Sequence, residues 1–519
     1  MKKFFAFFWG ILRSYGESFV EAIGENEYTQ EFKERYPRLF SFVRNRLSPR
    51  EYLGLHLTIG FCIALYLTVQ CIELITSIIR NTELAQIDTN IITFLTATRT
   101  GALMRPMLFF TALGNWPTIA LLFLFFTTLW VWQKRWFRVW MFFLMIAGSE
   151  ALAVLMKIFI ARPRPDPASA LLFETSYSFP SGHALIALSF YGFLAYLWMR
   201  ERRHIVTRIG IFFVTALVVA GIGISRIYLG VHWPSDVLGG YLLAAIWLTV
   251  IATAADLRKR FMRERHYPPE TLFPFRWIVP LLLIFGASAL VYVVAFIERP
   301  HFEPSALHRH IDVTGGESVF SIDVAVLDSI PNISEGLTGR SLEPVNLIFI
   351  GNADDVASAM KRAGWFLAEQ VTLQSSWDIF LRVLKNQSYP TAPVSPAFLY
   401  GRPQDSAWQK PTEKNSPRER HHIRLWRDRR YMIGGRALWV GTASFDAGIR
   451  LTTTIRIPTH RIAPAIDVER DLVVSDLRRI GALQKEEFVQ RYDPFLGTNA
   501  IGDPFFTDGK VSIIYLKKL

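Results

Sequence analysis

The sequence predicts an α-helical integral membrane bundle, a six-helix core plus a seventh span, followed by an extracytoplasmic α+β domain. Three observations lead there. Apolar runs long enough to cross a bilayer recur between residues 53 and 297, basic residues crowd alternate connections between them, and the composition changes at about residue 298. Hydrophobic residues make up 51% of the 519 and mean hydropathy is +0.24, values of a membrane protein with a substantial soluble part.

The formal net charge is +13. Nucleic acid is the usual partner of so basic a chain. A bilayer explains the balance without one, because basic residues gather in cytoplasmic loops and near anionic lipid heads. A lipid bilayer and no nucleic acid is therefore the expected partner. The two cysteines, Cys62 and Cys71, both lie in the first apolar run, so the soluble part has no disulfide framework.

The N-terminal region, 1–51, opens with MKKFFAFFWGILR. It has the basic and apolar parts of a signal peptide but no small-residue cleavage site, and Arg13 ends the run early. An interfacial helix with Phe4, Phe5, Phe8 and Trp9 in the lipid boundary is expected, then one or two amphipathic cytoplasmic helices over 17–50. The membrane domain, 52–256, holds six runs of about 20 apolar residues, at 53–79, 107–132, 136–160, 181–199, 207–224 and 236–254. Asn115 and Pro117 interrupt the second, which predicts a kink or re-entrant start near Gly114. Residues 257–297 form a basic loop and a seventh span at 277–297. The basic clusters at 33–50, 134–138, 200–208 and 258–265 all fall on one side of alternating helices, and that side should be the cytoplasm. The connections near 160–181 and 224–236 then face outward, as does the chain beyond 297.

Those outward connections contain KIFIARPRP at 157–165, PSGH at 180–183 and SRIYLGVHWPSD at 225–236. Arg226 stands six residues before His232, and Asp236 four residues after it. Pro234 suits the first turn of a helix, so Asp236 can sit close to the His232 ring. A carboxylate there fixes the tautomer and stabilises the imidazolium. Ser181 and Gly182 open the fourth span, where free N–H groups attract an anion and Gly182 permits close backbone approach. Singly these features are ordinary: a lysine ending a span is usually a snorkelling anchor. Three in order, each at the end of a hydrophobic segment, form a joint pattern.

The patterns K-x6-R-P, P-S-G-H and S-R-x5-H-x3-D are all intact, and over residues 85–255 the chain resembles the type 2 phosphatidic acid phosphatase family. That family also includes lipid phosphate and polyprenyl diphosphate phosphatases. The resemblance implies covalent hydrolysis of a phosphate ester. His232 matches the nucleophile that becomes a phosphohistidine, His183 the general acid that later activates water, and Asp236 the carboxylate that orients His232. Lys157, Arg164 and Arg226 match the phosphate-binding cations, with Ser181 and Gly182 beside them. Arg162 is extra to the pattern and reads as structural. No metal or cofactor is implied, because three cations can carry the charge and the outer loops lack clustered carboxylates. A bacterial inner membrane is the implied setting. Undecaprenyl diphosphate, phosphatidylglycerol phosphate, phosphatidic acid and lipid A phosphates remain open as substrates, since the motif residues hold only the phosphate. A phosphotransferase with the same histidine, or a binding or scaffold protein acting through its C-terminal domain, are the alternatives. Vanadium haloperoxidases share the motif set, but the long spans argue against them.

From 298 to 519, stretches alternating in polarity at 319–327, 437–443 and 449–457 and apolar runs at 346–350 and 511–516 read as strands. Residues 353–364 and 467–484 read as helices, with Asn352 as N-cap and Asp354 and Asp355 at the positive end of the helix dipole. YGRPQDSAWQKP (400–411), RERHHIRLW (418–426) and WVGTASFDAG (439–448) resemble the LssY C-terminal domain, which is found fused to this phosphatase type and brings no established activity. His421, His422 and His460 match no defensible zinc spacing and read as satisfied or surface histidines. Arg402, Arg420 and Arg424 are left open between ordinary ion pairs and contacts to an anionic envelope polymer or lipid head; a protein partner of this domain is also left open.

Overall fold

The computed structural model describes residues 26–47, 54–80, 83–166, 170–172, 174–264, 278–298, 317–319, 322–369, 389–413, 419–451 and 458–518, with isolated residues between 371 and 387. The expected interfacial segment at the N-terminus lies outside them. Two short helices follow it, α1 (Glu27–Arg35) and α2 (Pro37–Leu47).

The apolar runs become helices α3 (Leu55–Ile79), α5 (Gly101–Gly114), α6 (Trp116–Trp132), α7 (Trp136–Ile160), α8 (Gly182–Glu201), α9 (Ile205–Tyr228), α10 (Pro234–Glu264) and α11 (Ile278–Glu298), with α4 (Glu83–Ala97) between α3 and α5. Among the described residues, five helices are long and apolar enough to cross a membrane, and α5 with α6 makes a pair bent by 50°. The bend falls at Asn115, which is extended (φ −69°, ψ 144°). Pro117, in the first turn of α6, suits a helix start and has no N–H to continue α5. Helix α11, 21 residues long, packs on α5 and α6. Large apolar side chains such as Phe213, Leu217 and Ile158 remain exposed on the outside of the bundle, as expected of surfaces that meet lipid. The helices fit a multi-pass membrane protein.

Helix α4 has no counterpart in the sequence reading. It is too short to span, yet Asp88 and Asn90 within it are buried. The two ends of the bundle differ in kind. At one, Arg135 and Arg138 both pair with Glu201, and Arg258 lies over the Phe137 ring. At the other, the connections after α7, before α8 and between α9 and α10 converge. Helices α8 and α10 approach there closely: a Cβ on Gly240 would stand 2.7 Å from Ser181 O and 3.1 Å from Leu185 N. Only glycine allows the start of α10 to lie against the backbone that presents Ser181 and His183. Below this contact, Phe142, Phe190 and Phe193 pack at the centre of the bundle with Ile119, Trp130 and Met145, Phe142 stacked on Phe193.

The C-terminal part is an α+β unit. Its strands are β1 (Glu317–Val319), β2 (Ile333–Glu335), β3 (Ser341–Pro344), β4 (Leu347–Ile350), β5 (Phe366–Leu367), β6 (Phe398–Leu399), β7 (Arg402–Pro403), β8 (Ser406–Pro411), β9 (Glu419–Ile433), β10 (Arg436–Leu451), β11 (Pro458–Ile462), β12 (Leu483–Gln490), β13 (Phe495–Thr498), β14 (Pro504–Thr507) and β15 (Lys510–Leu516). The main sheet runs β12-β15-β4-β10-β9-β8-β5, and β15 pairs with β4 in parallel. Alternation along β4 shows both faces covered. Leu347 and Phe349 join the core under α13 (Ala353–Arg362) and α14 (Ile466–Arg479), while Ile348 and Ile350 join the opposite core near α12 (Val324–Asp328).

Two expected elements differ. VFSIDVAVL alternates like a strand, but Asp323 accepts from the Val326 N–H at 2.9 Å and starts α12 instead. The helix expected to reach 484 ends at Arg479, because Gly481 takes φ +67° and terminates it. Of the stretch 449–457, only the end of β10 falls among the described residues.

Gly240→Ala tests the helix contact. The added methyl must push α10 from α8, so the thermal unfolding midpoint in detergent should fall by the equivalent of about 1–3 kcal/mol; an unchanged midpoint contradicts this packing.

Candidate active site

The three motif segments meet at the end of the bundle where α7 stops and α8 and α10 begin. His232 lies in the short connection between α9 and α10 and is buried. Its Nδ1 faces Asp236 Oδ2 at 3.5 Å, and its Nε2 lies 3.3 Å from Arg164 Nη1. The ring therefore presents one nitrogen to a carboxylate and the other to a cation. Burial pushes its pKa down to about 4, with Asp236 pulling the other way. The imidazole is thus neutral at neutral pH.

Asp236, in the first turn of α10, is fully buried. Oδ2 accepts from the Ser178 hydroxyl in a short bond and from the Trp233 N–H at 2.8 Å. Oδ1 accepts from Arg162 Nη1 at 2.8 Å. The i,i+4 spacing of His232 and Asp236 works because Pro234 begins the helix between them.

The other motif residues lie at the same end of the bundle. Arg164 donates from Nε to Ser176 O at 2.6 Å and from Nη1 to Val231 O at 2.5 Å. Lys157, at the end of α7, donates to Ser176 Oγ at 2.7 Å. Arg226 is buried at the end of α9 and donates to Thr111 Oγ1 at 2.8 Å and to Glu174 Oε1 at 2.5 Å. Ser181 stands at the N-cap position of α8 without a side-chain cap bond, and Gly182 is the first residue of the helix. Ser181 Oγ and Arg226 Nε are buried with no hydrogen-bond partner among the described residues. Buried polar groups are seldom left so.

His183 belongs to the first turn of α8. Its Nε2 lies 2.8 Å from Asn115 Oδ1, and Asn115 Nδ2 donates to Tyr292 OH at 3.3 Å. With the amide so oriented, Oδ1 only accepts, so Nε2 carries the proton. Gly114 makes room for the ring, since a Cβ there would come within 3.2 Å of His183 Cδ2. The bend between α5 and α6 thus serves the site, and α11 reaches it through Tyr292.

Several contributors were not found in the sequence. Glu174 bonds Arg226 and lies 3.8 Å from Arg164. Burial alone would raise its pKa, but the two arginines outweigh burial and hold the carboxyl below its usual value. Asn115 registered only as a helix breaker, Ser178 and Tyr292 not at all. Asp88 carried one signal: a lone carboxylate among Ile87, Ile91 and Ile92 needs a partner.

The three C-terminal segments also converge, into an ion-paired layer. Arg420 Nε donates to Asp446 at 3.0 Å and Arg424 Nη1 to Glu343 at 2.7 Å. His422 Nε2 lies 2.7 Å from Ser444 Oγ, and His421 Nδ1 lies 2.7 Å from Glu469. Arg402 pairs with Asp405. All three arginines left open by the sequence are thus bonded to carboxylates. His460 lies on β11, away in sequence from the other two.

Comparison with known proteins agrees with both parts. Residues 138–260 match the PAP2 superfamily, and residues 327–511 match the LssY C-terminus. Phosphatidylglycerophosphatase B of Bacillus subtilis is 35% identical over 134 residues, 25% of this chain and 64% of that one. An undecaprenyl-diphosphatase of Sulfolobus acidocaldarius is 35% identical over 82 residues (16% and 35%). A lipid A 1-phosphatase of Rhizobium johnstonii is 31% identical over 135 residues (24% and 49%). The chain thus spans less than two thirds of the length of these curated relatives. Among solved structures, a transmembrane PAP2 type phosphatidylglycerolphosphate phosphatase from Bacillus subtilis aligns over 40% of this chain and 98% of its own, at 25% identity and TM-score 0.35. The chain carries a PAP2 superfamily domain joined to an LssY C-terminal domain.

Proposed function

We propose that this protein is a membrane lipid phosphatase that hydrolyses a lipid phosphate or diphosphate through a phosphohistidine on His232, without a metal ion. The observation that carries the reading is the polarity of the His232 ring, with Nδ1 toward Asp236 and Nε2 toward Arg164. The phosphate sits between Lys157, Arg164 and Arg226, with Ser181 Oγ and the Gly182 N–H on its remaining oxygens. Nε2 attacks phosphorus as the bond to the lipid oxygen breaks. Asp236 holds the Nδ1 proton and stabilises the charge the ring acquires. His183 enters this step as the imidazolium, with its Nε2–H held by Asn115 Oδ1; it gives the proton on Nδ1 to the leaving oxygen, then takes one there from the water that attacks the phosphohistidine, which returns His232 and releases phosphate. The names of the relatives favour phosphatidylglycerol phosphate, a polyprenyl diphosphate or a lipid A phosphate as substrate.

Glu174 occupies the cations that the phosphate needs. Substrate must displace this carboxylate from Arg226, so it acts as a competing internal anion. The basic clusters support a cytoplasmic opposite end, an extracytoplasmic site in a bacterial inner membrane, and a C-terminal domain on the site's own face. Asn90 of α4 donates to Gly336 O at 3.4 Å, consistent with the C-terminal domain standing beside the site.

Three outcomes are expected. His232→Ala abolishes phosphate release from short-chain phosphatidic acid, His183→Ala nearly does, and Asp236→Asn costs at least about a hundredfold in kcat; a chelator changes little. Full activity in His232→Ala, or strict dependence on a divalent ion, would sink the mechanism. Arg226→Ala weakens vanadate inhibition along with catalysis, because vanadate mimics the phosphoryl transition state, whereas Glu174→Gln tightens vanadate inhibition; no change in either variant contradicts the cradle. Alkaline phosphatase fused at the C-terminus is active and a cytoplasmic reporter there is silent; the reverse pattern puts the domain inside.

A further inference from the structure

We propose that Arg162 and Asp88 are positioning residues for the Asp236 carboxylate, with helix α4 as their anchor; this rests on the reading of His232 as nucleophile. The Arg162 guanidinium bridges two buried carboxylates. Nη1 donates to Asp236 Oδ1 and Nη2 to Asp88 Oδ2, each at 2.8 Å. Ser235 closes the ring: its hydroxyl accepts from Arg162 Nη1 at 2.7 Å and donates to Asp88 Oδ2, while its N–H donates to Asp88 Oδ1 at 3.0 Å. The guanidinium also lies 5.5 Å from the centre of the Trp233 ring.

This arrangement fixes the plane of the catalytic carboxylate. Asp236 has two oxygens, and only Oδ2 faces His232 Nδ1. With Oδ1 held from behind by Arg162, the carboxylate cannot turn about its last bond and carry Oδ2 away. Arg162 and Arg164 stand two residues apart in a non-helical segment and serve opposite sides of the site. Arg164 faces His232 Nε2, while Arg162 backs the carboxylate behind Nδ1.

Asp88 in turn depends on α4 being held. Gln86 and Asn90 lie two residues to either side of Asp88, hence on the other face of the helix. Gln86 Nε2 donates to Asn90 Oδ1 at 3.0 Å, and Asn90 Nδ2 to Gly336 O at 3.4 Å. Gly339 passes so close that a Cβ on it would lie 3.0 Å from Gln86 Cγ. One face of α4 grips the active site while the other meets the turn between β2 and β3.

Removing Arg162 outright would leave two unpaired buried carboxylates and endanger the fold, so the test uses Arg162→Lys and Asp88→Asn in the full-length protein. Phosphate release from short-chain phosphatidic acid and product inhibition by inorganic phosphate, a ground-state anion, are measured together. Both variants should lose at least about tenfold in kcat, while KM and the phosphate inhibition constant stay within about twofold. Combining them should cost little more than the worse single change, because the two act as one unit. Retained phosphate inhibition also reports a folded site. Native kcat in both variants overturns the proposal, as does loss of kcat and phosphate inhibition in parallel. His232→Ala, run beside them, separates the two levels: turnover there defeats the phosphohistidine reading itself, whereas an inactive His232→Ala beside fully active Arg162→Lys and Asp88→Asn defeats the brace alone.

Discussion

The Asp236 carboxylate, without solvent exposure, joins parts of the chain that are otherwise far apart. It bonds Ser178 before α8, Trp233 before α10 and Arg162 after α7, and it faces His232. Its own carbonyl accepts from the Ser181 N–H at 3.0 Å. A charge buried this deeply is tolerated only when its lone pairs are satisfied. The requirement that stabilises the carboxylate therefore also draws the three motif connections to one place. Gly240 completes the constraint by letting two helix starts touch at backbone distance.

Around that carboxylate, the charged groups fall into two sets, each with both signs. Arg162 and Asp88 stand behind Asp236, while Lys157, Arg164 and Arg226 stand in front of His232 with Glu174 among them. The rear group is closed on itself. The front group keeps buried donors without protein partners, Ser181 Oγ and Arg226 Nε. The proposed doubly charged phosphate would need such surplus donors, and burial would strengthen each of them. The supporting shell extends outward through α4 to the C-terminal domain and through Asn115 to Tyr292 of α11. Those two contacts give the helices outside the matched family segment a physical connection to the chemistry.

The main features of the bundle were legible because bilayer crossing demands long apolar runs, and those are local in sequence. The break at Asn115 was legible for the same reason, as a polar residue and a proline interrupt such a run. The motif residues were legible from spacing and resemblance. Glu174 was not, and Asp88 showed only that it needs a partner, because their meaning lies in contacts across the fold: Asp88 meets Ser235 over 147 residues of chain. The strand expected at 319–327 became partly helical because one capping carboxylate outweighed an alternating pattern. The overlong helix near 484 was a misreading, since Gly481 is the ordinary stop for a helix after Arg479. In the C-terminal domain the three quoted segments could be matched to a family, but their ion pairing to Glu343 and Glu469 came only with the sheet register.

The central claim is that the phosphoryl group passes through His232. Rapid acid-free quenching of the enzyme with a radiolabelled short-chain lipid phosphate, followed by peptide mapping, tests it directly. The account predicts an acid-labile, alkali-stable phosphate on the peptide containing His232, absent when that residue is alanine. Label on the His183 peptide, or turnover with no covalent label at any time, would contradict it.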